Sequence, residues 1–208
     1  MKMQIHKGTK YSIYFNGKEA EKHGGNTTLA MRYFPERDAS AIAGEIDEQT
    51  AWQIMYDIAK QADSCNTPIA PEHIFIDGNS FHLSEWSEST DYRLTAPEGY
   101  SVQWALAASV FYIYLGCHVF QGLGGAGQTP TSPIPTLRRE LPELSKLISR
   151  CLEFDKNKRP KMNEIIHIAG ENLERCKKLR KEFPPLKSAK CAIVNAENMD
   201  KYWPDEMY

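Results

Sequence analysis

Few side chains in the sequence combine the type and the spacing that chemistry needs. His73 and His82 fall on or beside one short β-rich segment, but no third ligand stands at metal spacing, so both read as structural histidines. Asp77 and Glu85 offer two carboxylates for acid/base work, yet nothing in the sequence fixes a substrate between them. Neither G-x-S-x-G nor H-E-x-x-H occurs. Gly122-x-Gly124-x-x-Gly127 has the spacing of a phosphate-binding loop, but it follows a helical pattern and runs into prolines, whereas a phosphate cradle leads from a strand into a helix. It reads as a flexible loop. Ser84, Ser87, Ser89, Thr90 and Tyr92 offer hydroxyls where a phosphate would add charge beside Arg93, although a polar exposed loop accounts for them more simply. The five cysteines (Cys65, Cys117, Cys151, Cys176 and Cys191) are scattered, odd in number and never in C-x-x-C, so reduced thiols and an intracellular setting are expected.

The elements that must position these residues belong to a chain of 208 residues, which suits one domain or one domain with a small lobe. A net charge of -2 gives no global attraction to nucleic acid or to an anionic membrane. The first residues, MKMQIHKGTK, lack the apolar run of a secretory leader, and a cytoplasmic location is expected. Val102 to Phe120 carries no charge if His118 is neutral, and approaches the length of a bilayer span. Gln103, Ser109, Gly116 and His118 interrupt it and no Lys or Arg flanks it, so it reads as a helix buried on every side of a globular domain. No membrane partner is expected.

Residues 1–34 read as strands: 10–15 leading to the turn signal Asn16-Gly17, and 27–34 stopped by Pro35. Asp47 opens a helix whose apolar face runs through Ala51, Met55, Ile58 and Ala62. Residues 73–76 and 81–83, joined by Asp77-Gly78-Asn79-Ser80, form a hairpin pattern, and 84–94 reads as loop. After the apolar helix and a Gly/Pro-rich loop, Leu141, Leu144, Leu147, Ile148, Cys151 and Leu152 trace one helical face. Met162, Ile165, Ala169, Leu173 and Cys176 trace another. The basic run Lys177 to Lys181 sits where cations complement a helix end. The fold class is α+β, a small β layer attached to a larger helical lobe.

This order resembles the eukaryotic-type protein kinase fold, and four stretches carry the resemblance. Leu29-Ala30-Met31-Arg32-Tyr33-Phe34-Pro35 looks like a last N-lobe strand running into the hinge, with Met31 at the gatekeeper position. Pro71-Glu72-His73-Ile74-Phe75-Ile76-Asp77-Gly78 looks like the end of the catalytic loop and its following strand. Thr95-Ala96-Pro97-Glu98 keeps the family's A-P-E ahead of a helix that contains Trp104 and ends Gly116-Cys117-His118-Val119-Phe120. Leu147 to Pro160, LISRCLEFDKNKRP, is similar to the family's L-I-x-x-C-L-x-x-D-x-x-x-R-P. The resemblance covers roughly residues 25–180. It implies a reduced β N-lobe over 1–34, a kinase-like helical C-lobe over 35–186 around a central buried helix, and a tail over 187–208. It also implies a buried ion pair between Glu98 and Arg159, and a hinge or nucleotide pocket at Met31, Tyr33 and Phe75.

The departures from the family fall on its chemistry. Where the family has H-R-D-x-K-P-E-N, this chain has Asn66-Thr67-Pro68-Ile69-Ala70-Pro71-Glu72-His73: Pro68 replaces the base, Ala70 the lysine and His73 the metal-binding asparagine. Glu85-Trp86-Ser87 stands for D-F-G, and Val102 for the aspartate that braces the catalytic loop. No glycine-rich loop or V-A-I-K-like strand leads the chain. The resemblance therefore implies a truncated pseudokinase: no catalytic residue, metal or cofactor, and a scaffold or regulatory role toward a protein partner. An active kinase or a phosphatase is the natural partner by analogy. The tail residues Tyr202, Trp203 and Tyr208 suit a docking peptide. The alternative is an atypical enzyme with residual Mg-ATP binding through Glu85 and His73.

Overall fold

The computed structural model describes the backbone of residues 2–5, 11–15 and 28–32, and residues 38–62, 67–84, 91–137 and 141–182. The chain divides into two compact units, 1–176 and 177–208. Three antiparallel strands lead the first unit: β1 (Lys2–Ile5), β2 (Tyr11–Phe15) and β3 (Thr28–Arg32), in the order β1-β2-β3. Phe15 pairs with Thr28, so the two strands read at 10–15 and 27–34 are antiparallel neighbours, and residues 16–27 between them, Asn16-Gly17 included, lie outside the described residues.

The helical part is built from α1 (Glu48–Ala62), α2 (Val102–Leu115), α3 (Pro142–Cys151) and α4 (Met162–Glu182), with a hairpin of β4 (Ile74–Asp77) and β5 (Ser80–Leu83) between α1 and α2. Helices with small antiparallel sheets make the chain α+β. Asp47 caps α1, its Oδ1 accepting from the Thr50 amide at 2.8 Å. Ala51, Met55, Ile58 and Ala62 lie on the buried side of α1, and Trp52, Ile54 and Ala59 widen that side. On α4 the buried residues are Ile165, Ala169, Leu173 and Cys176, a single stripe at helical spacing. Among the described residues the last turn of α4, in the second unit, carries a Lys178–Glu182 pair at 3.8 Å.

Helix α2 has no such stripe. Trp104 to Phe111 is buried without interruption and Ile113 follows. It packs against α1, α3 and the short 3-10 turns at 39–42, 71–73 and 92–94. It ends at Gly116, whose φ of 73° is the left-handed cap that a side chain would strain. No described helix is long and apolar enough to cross a membrane.

The β4–β5 hairpin turns at Gly78-Asn79, with Asp77 paired to Ser80 and Gly78 at φ 60°. Phe81 and Leu83 are buried toward α1, and their backbone groups on the open edge of β5 are met by side chains instead of a strand. Asp57 Oδ2 accepts from the Phe81 amide at 3.0 Å. Gln61 Nε2 donates to the Phe81 carbonyl at 2.9 Å, and Gln61 Oε1 accepts from the Leu83 amide at 3.0 Å. Asp57 and Gln61 lie one helical turn apart on α1, so one face of the helix reads the strand edge. Truncating Gln61 leaves two buried backbone groups unpaired. Gln61→Ala is therefore expected to lose about 1–3 kcal/mol in urea unfolding.

Candidate functional site

The residues that combine charge, burial and long-range pairing converge on the turn before α2. Ala96-Pro97-Glu98-Gly99 closes on itself, the Ala96 amide donating to the Gly99 carbonyl at 2.8 Å and the Gly99 amide returning to Ala96 at 3.0 Å. That turn holds Glu98 against Arg159, 61 positions away in sequence. The Arg159 side chain is only 1% exposed, while that of Glu98 is 36% exposed. The pair is two-pronged: Arg159 Nη1 donates to Glu98 Oε1, and Nη2 to Oε2 at 3.0 Å. The other guanidinium contacts are backbone carbonyls, Glu153 from Nε at 2.8 Å and Phe154 from Nη2 at 3.2 Å. One face of the group lies over the Trp104 ring, 5.1 Å from its centroid, and Trp104 stacks on Phe120 at 5.6 Å. The hydrogen bond from Arg159 holds the Glu98 carboxyl below its ordinary value, against the opposing effect of burial.

The same segment reaches a second loop. Tyr100 accepts a hydrogen bond from the Ile69 amide at 3.0 Å, and burial raises its phenol pKa. Ile69 and Ala70 are buried, so this contact satisfies a backbone donor that water does not reach. His73 turns back into that loop, with Nδ1 2.7 Å from the Pro68 carbonyl. A carbonyl only accepts, so Nδ1 carries the proton there. Pro68 offers a backbone carbonyl at this point and no titratable group.

The remaining sequence candidates scatter. Phe75 lies in β4 and forms a bridge with Asp38, at the start of the 39–42 turn. His82 Nε2 stands 3.9 Å from Asp77 Oδ2 across the hairpin. Among the described residues no group of three or more His, Cys, Asp or Glu is gathered to hold a metal. Ser84 is buried rather than exposed in a polar loop, and Tyr92 is exposed in the 92–94 turn that Asp91 caps. Met31 lies on β3 opposite Ser12. Tyr33, Glu85, Trp86, Ser87, Tyr202, Trp203 and Tyr208 lie outside the described residues. Cys151 is buried, and burial pushes its thiol up to about 12, which leaves it inert at neutral pH.

The glycine series is not the flexible loop its composition predicts. Gly124 to Gly127 form a 3-10 turn packed on the 92–94 turn and on Thr95 and Ala96, the lead into the Glu98 turn. A Cβ on Gly125 would stand 2.1 Å from the Thr95 carbonyl oxygen, and one on Gly124 would stand 2.6 Å from the Arg93 Cα. Two glycines are there because two backbones touch. Together with Tyr100, Asp57 and Gln61 they are the positions that sequence reasoning missed. Only the i, i+4 polar pair on the edge of an apolar helix face signalled anything beforehand.

Trp104, Phe120, Gln128, Thr129, Ser132 and Glu153 are among the residues lining a small cleft of about 40 Å³ beside the ion pair. Trp104 Nε1 is buried there without a hydrogen-bond partner. Nothing in this arrangement supplies a nucleophile with its base. What it does supply is a clamp: one segment, 96–100, tied to the 153–159 stretch by an ion pair, to the 67–71 loop by a phenol and to the glycine turn by direct backbone packing. No protein-family model matches the sequence, and no curated protein matches it.

Two substitutions test the clamp. Glu98→Gln leaves the Arg159 charge buried with half its pairing lost, and is expected to cost about 3 kcal/mol, the low end for a buried pair because Glu98 is partly open to solvent. The pH dependence follows from the sign of the shift. A carboxyl held low in the folded state contributes stability above its unfolded pKa, and that contribution is lost as pH falls through the folded value. Urea unfolding at neutral and acid pH should show wild type losing stability more steeply than Glu98→Gln below the ordinary carboxylate range. Gly125→Ala forces two backbones apart and is expected to lower stability by about 2 kcal/mol or more in the same assay.

Proposed function

We propose that this chain is a kinase-like domain without catalysis, acting as a protein-interaction or regulatory scaffold. The reading rests on the resemblance of four stretches in sequence order, and the observation that carries it is the Glu98–Arg159 pair. The A-P-E-like turn and the R-P-like segment, 61 positions apart, meet through a buried guanidinium. The order of a strand layer, helix, hairpin, buried helix and two further helices is compatible with it. What supports the loss of catalysis is the Pro68 loop. Phosphoryl transfer depends on a base, a lysine and positioned metals, and at Pro68 the chain offers a carbonyl already engaged by His73. A domain that keeps its buried clamp while losing its base has a surface to offer and no reaction. A protein is the expected partner, and by analogy with the fold an active kinase or a phosphatase is the natural kind.

A thermal-shift titration with ATP and Mg²⁺ tests this directly. A nucleotide binder at a ligand concentration about a hundred times Kd gains about 2.7 kcal/mol and its melting temperature rises. The scaffold reading expects no shift at millimolar ATP. A clear shift that Glu85→Ala abolishes would replace it with an atypical Mg-ATP-dependent enzyme.

A further inference from the structure

Three Ser/Thr-Pro dipeptides occur in the sequence, Thr67-Pro68, Thr129-Pro130 and Ser132-Pro133, and the structure treats them differently. Thr67 is 4% exposed, with its hydroxyl oxygen buried. Ser132 is half-buried, and its hydroxyl accepts from the Thr129 amide at 2.9 Å. Thr129 is exposed, and its hydroxyl meets only those of Thr131 at 3.2 Å and Ser132 at 3.1 Å. Only Thr129 offers an open hydroxyl directly before a proline.

Its loop is also built to be lifted. Upstream it is anchored by Gln128, whose amide donates to the Gly125 carbonyl at 2.9 Å and whose side chain donates to the Gly124 carbonyl at 3.2 Å. Downstream it is anchored by buried Leu137, whose amide donates to Ser145 Oγ at 3.1 Å. Between these anchors the backbone is held by one local turn, Ser132 amide to Thr129 carbonyl at 3.0 Å. Pro130, Pro133 and Pro135 have no amide hydrogen to lose. Opening such a stretch into an enzyme's groove costs little compared with opening a helix or strand.

We propose that Thr129 is a phosphorylation site for a proline-directed Ser/Thr kinase. An active site with no acceptor opposite the residue after the phosphoacceptor excludes any residue that would bury an unpaired amide there, and admits proline. Thr129 Oγ1 attacks the γ-phosphorus of ATP, the bond from that phosphorus to the ADP oxygen breaks, and the hydroxyl proton passes to the kinase's catalytic carboxylate. The products are phosphothreonine and ADP. Thr129 and Ser132 line the cleft shared with Trp104, Phe120 and Glu153, so the dianion changes the charge of that cleft and of whatever docks over it. The inference is independent of the kinase-like reading of the fold.

The full chain, incubated with a proline-directed Ser/Thr kinase and Mg-ATP, is read by intact mass and peptide mapping. A single phosphate on Thr129 is expected, absent in Thr129→Ala and retained in Ser132→Ala. Pro130→Ala keeps the hydroxyl and should slow incorporation by about tenfold or more, the effect of one unpaired buried amide. No incorporation into wild type overturns the proposal. So does incorporation that Thr129→Ala or Pro130→Ala leaves unchanged, or a phosphate mapped to Thr67 of the folded chain.

Discussion

A helix with no polar face has to be surrounded, and α2 places the elements around it for that reason. From Trp104 to Ile113 only Tyr112 escapes full burial, so α1, α3 and three 3-10 turns are drawn onto it from different directions. Enclosure of this kind leaves little freedom at the helix ends. At the C-terminal end Gly116 takes the left-handed conformation, and the Gly44 amide donates to the Ile113 carbonyl at 2.8 Å, seating the 39–44 segment on the last turn. At the N-terminal end the chain must arrive from the hairpin through a turn tight enough to start a buried helix, and this is the turn that carries Glu98.

The cost of that arrangement is a buried cation. Arg159 sits beside Trp104 because the 153–159 segment crosses the start of α2, and a guanidinium removed from water needs every nitrogen engaged. Glu98 and the Glu153 and Phe154 carbonyls supply the acceptors. The pair therefore acts less as a source of net stability than as a device that fixes which segment lies against which, since an alternative packing would strand the charge. Tyr100 and the glycine turn add neutral ties to the same segment. The clamp is tied on three sides, whereas the 129–136 loop beside it has one local backbone bond. A fixed frame next to a loosely held loop is an arrangement in which a partner or a modifying enzyme can act without disturbing the core.

Much of the helical lobe was legible because periodicity is a one-dimensional signal. Ala51, Met55, Ile58 and Ala62 in α1, and Ile165, Ala169, Leu173 and Cys176 in α4, lie on the buried faces that their spacing predicts. The Gly78-Asn79 turn was legible for the same reason, since turn chemistry is local. The glycine series misled: composition predicts freedom, but the missing Cβ atoms at Gly124 and Gly125 serve close backbone contact.

By itself, the sequence determined the α+β class, the helix faces, the apolar character of α2 and the lack of a titratable group at Pro68, because each follows from residue types within a few positions of one another. Tertiary structure decided everything that required two distant backbones to meet. That includes the side chains of Asp57 and Gln61 closing the β5 edge, Tyr100 on Ile69, the glycine turn under Thr95, and the burial that separates Thr67 from Thr129. Glu98 and Arg159 stand between these cases. The residues can be named from the sequence through a resemblance, but the near-complete burial of the guanidinium is set by Trp104, Glu153 and Phe154 closing around it, and no spacing along the chain encodes that.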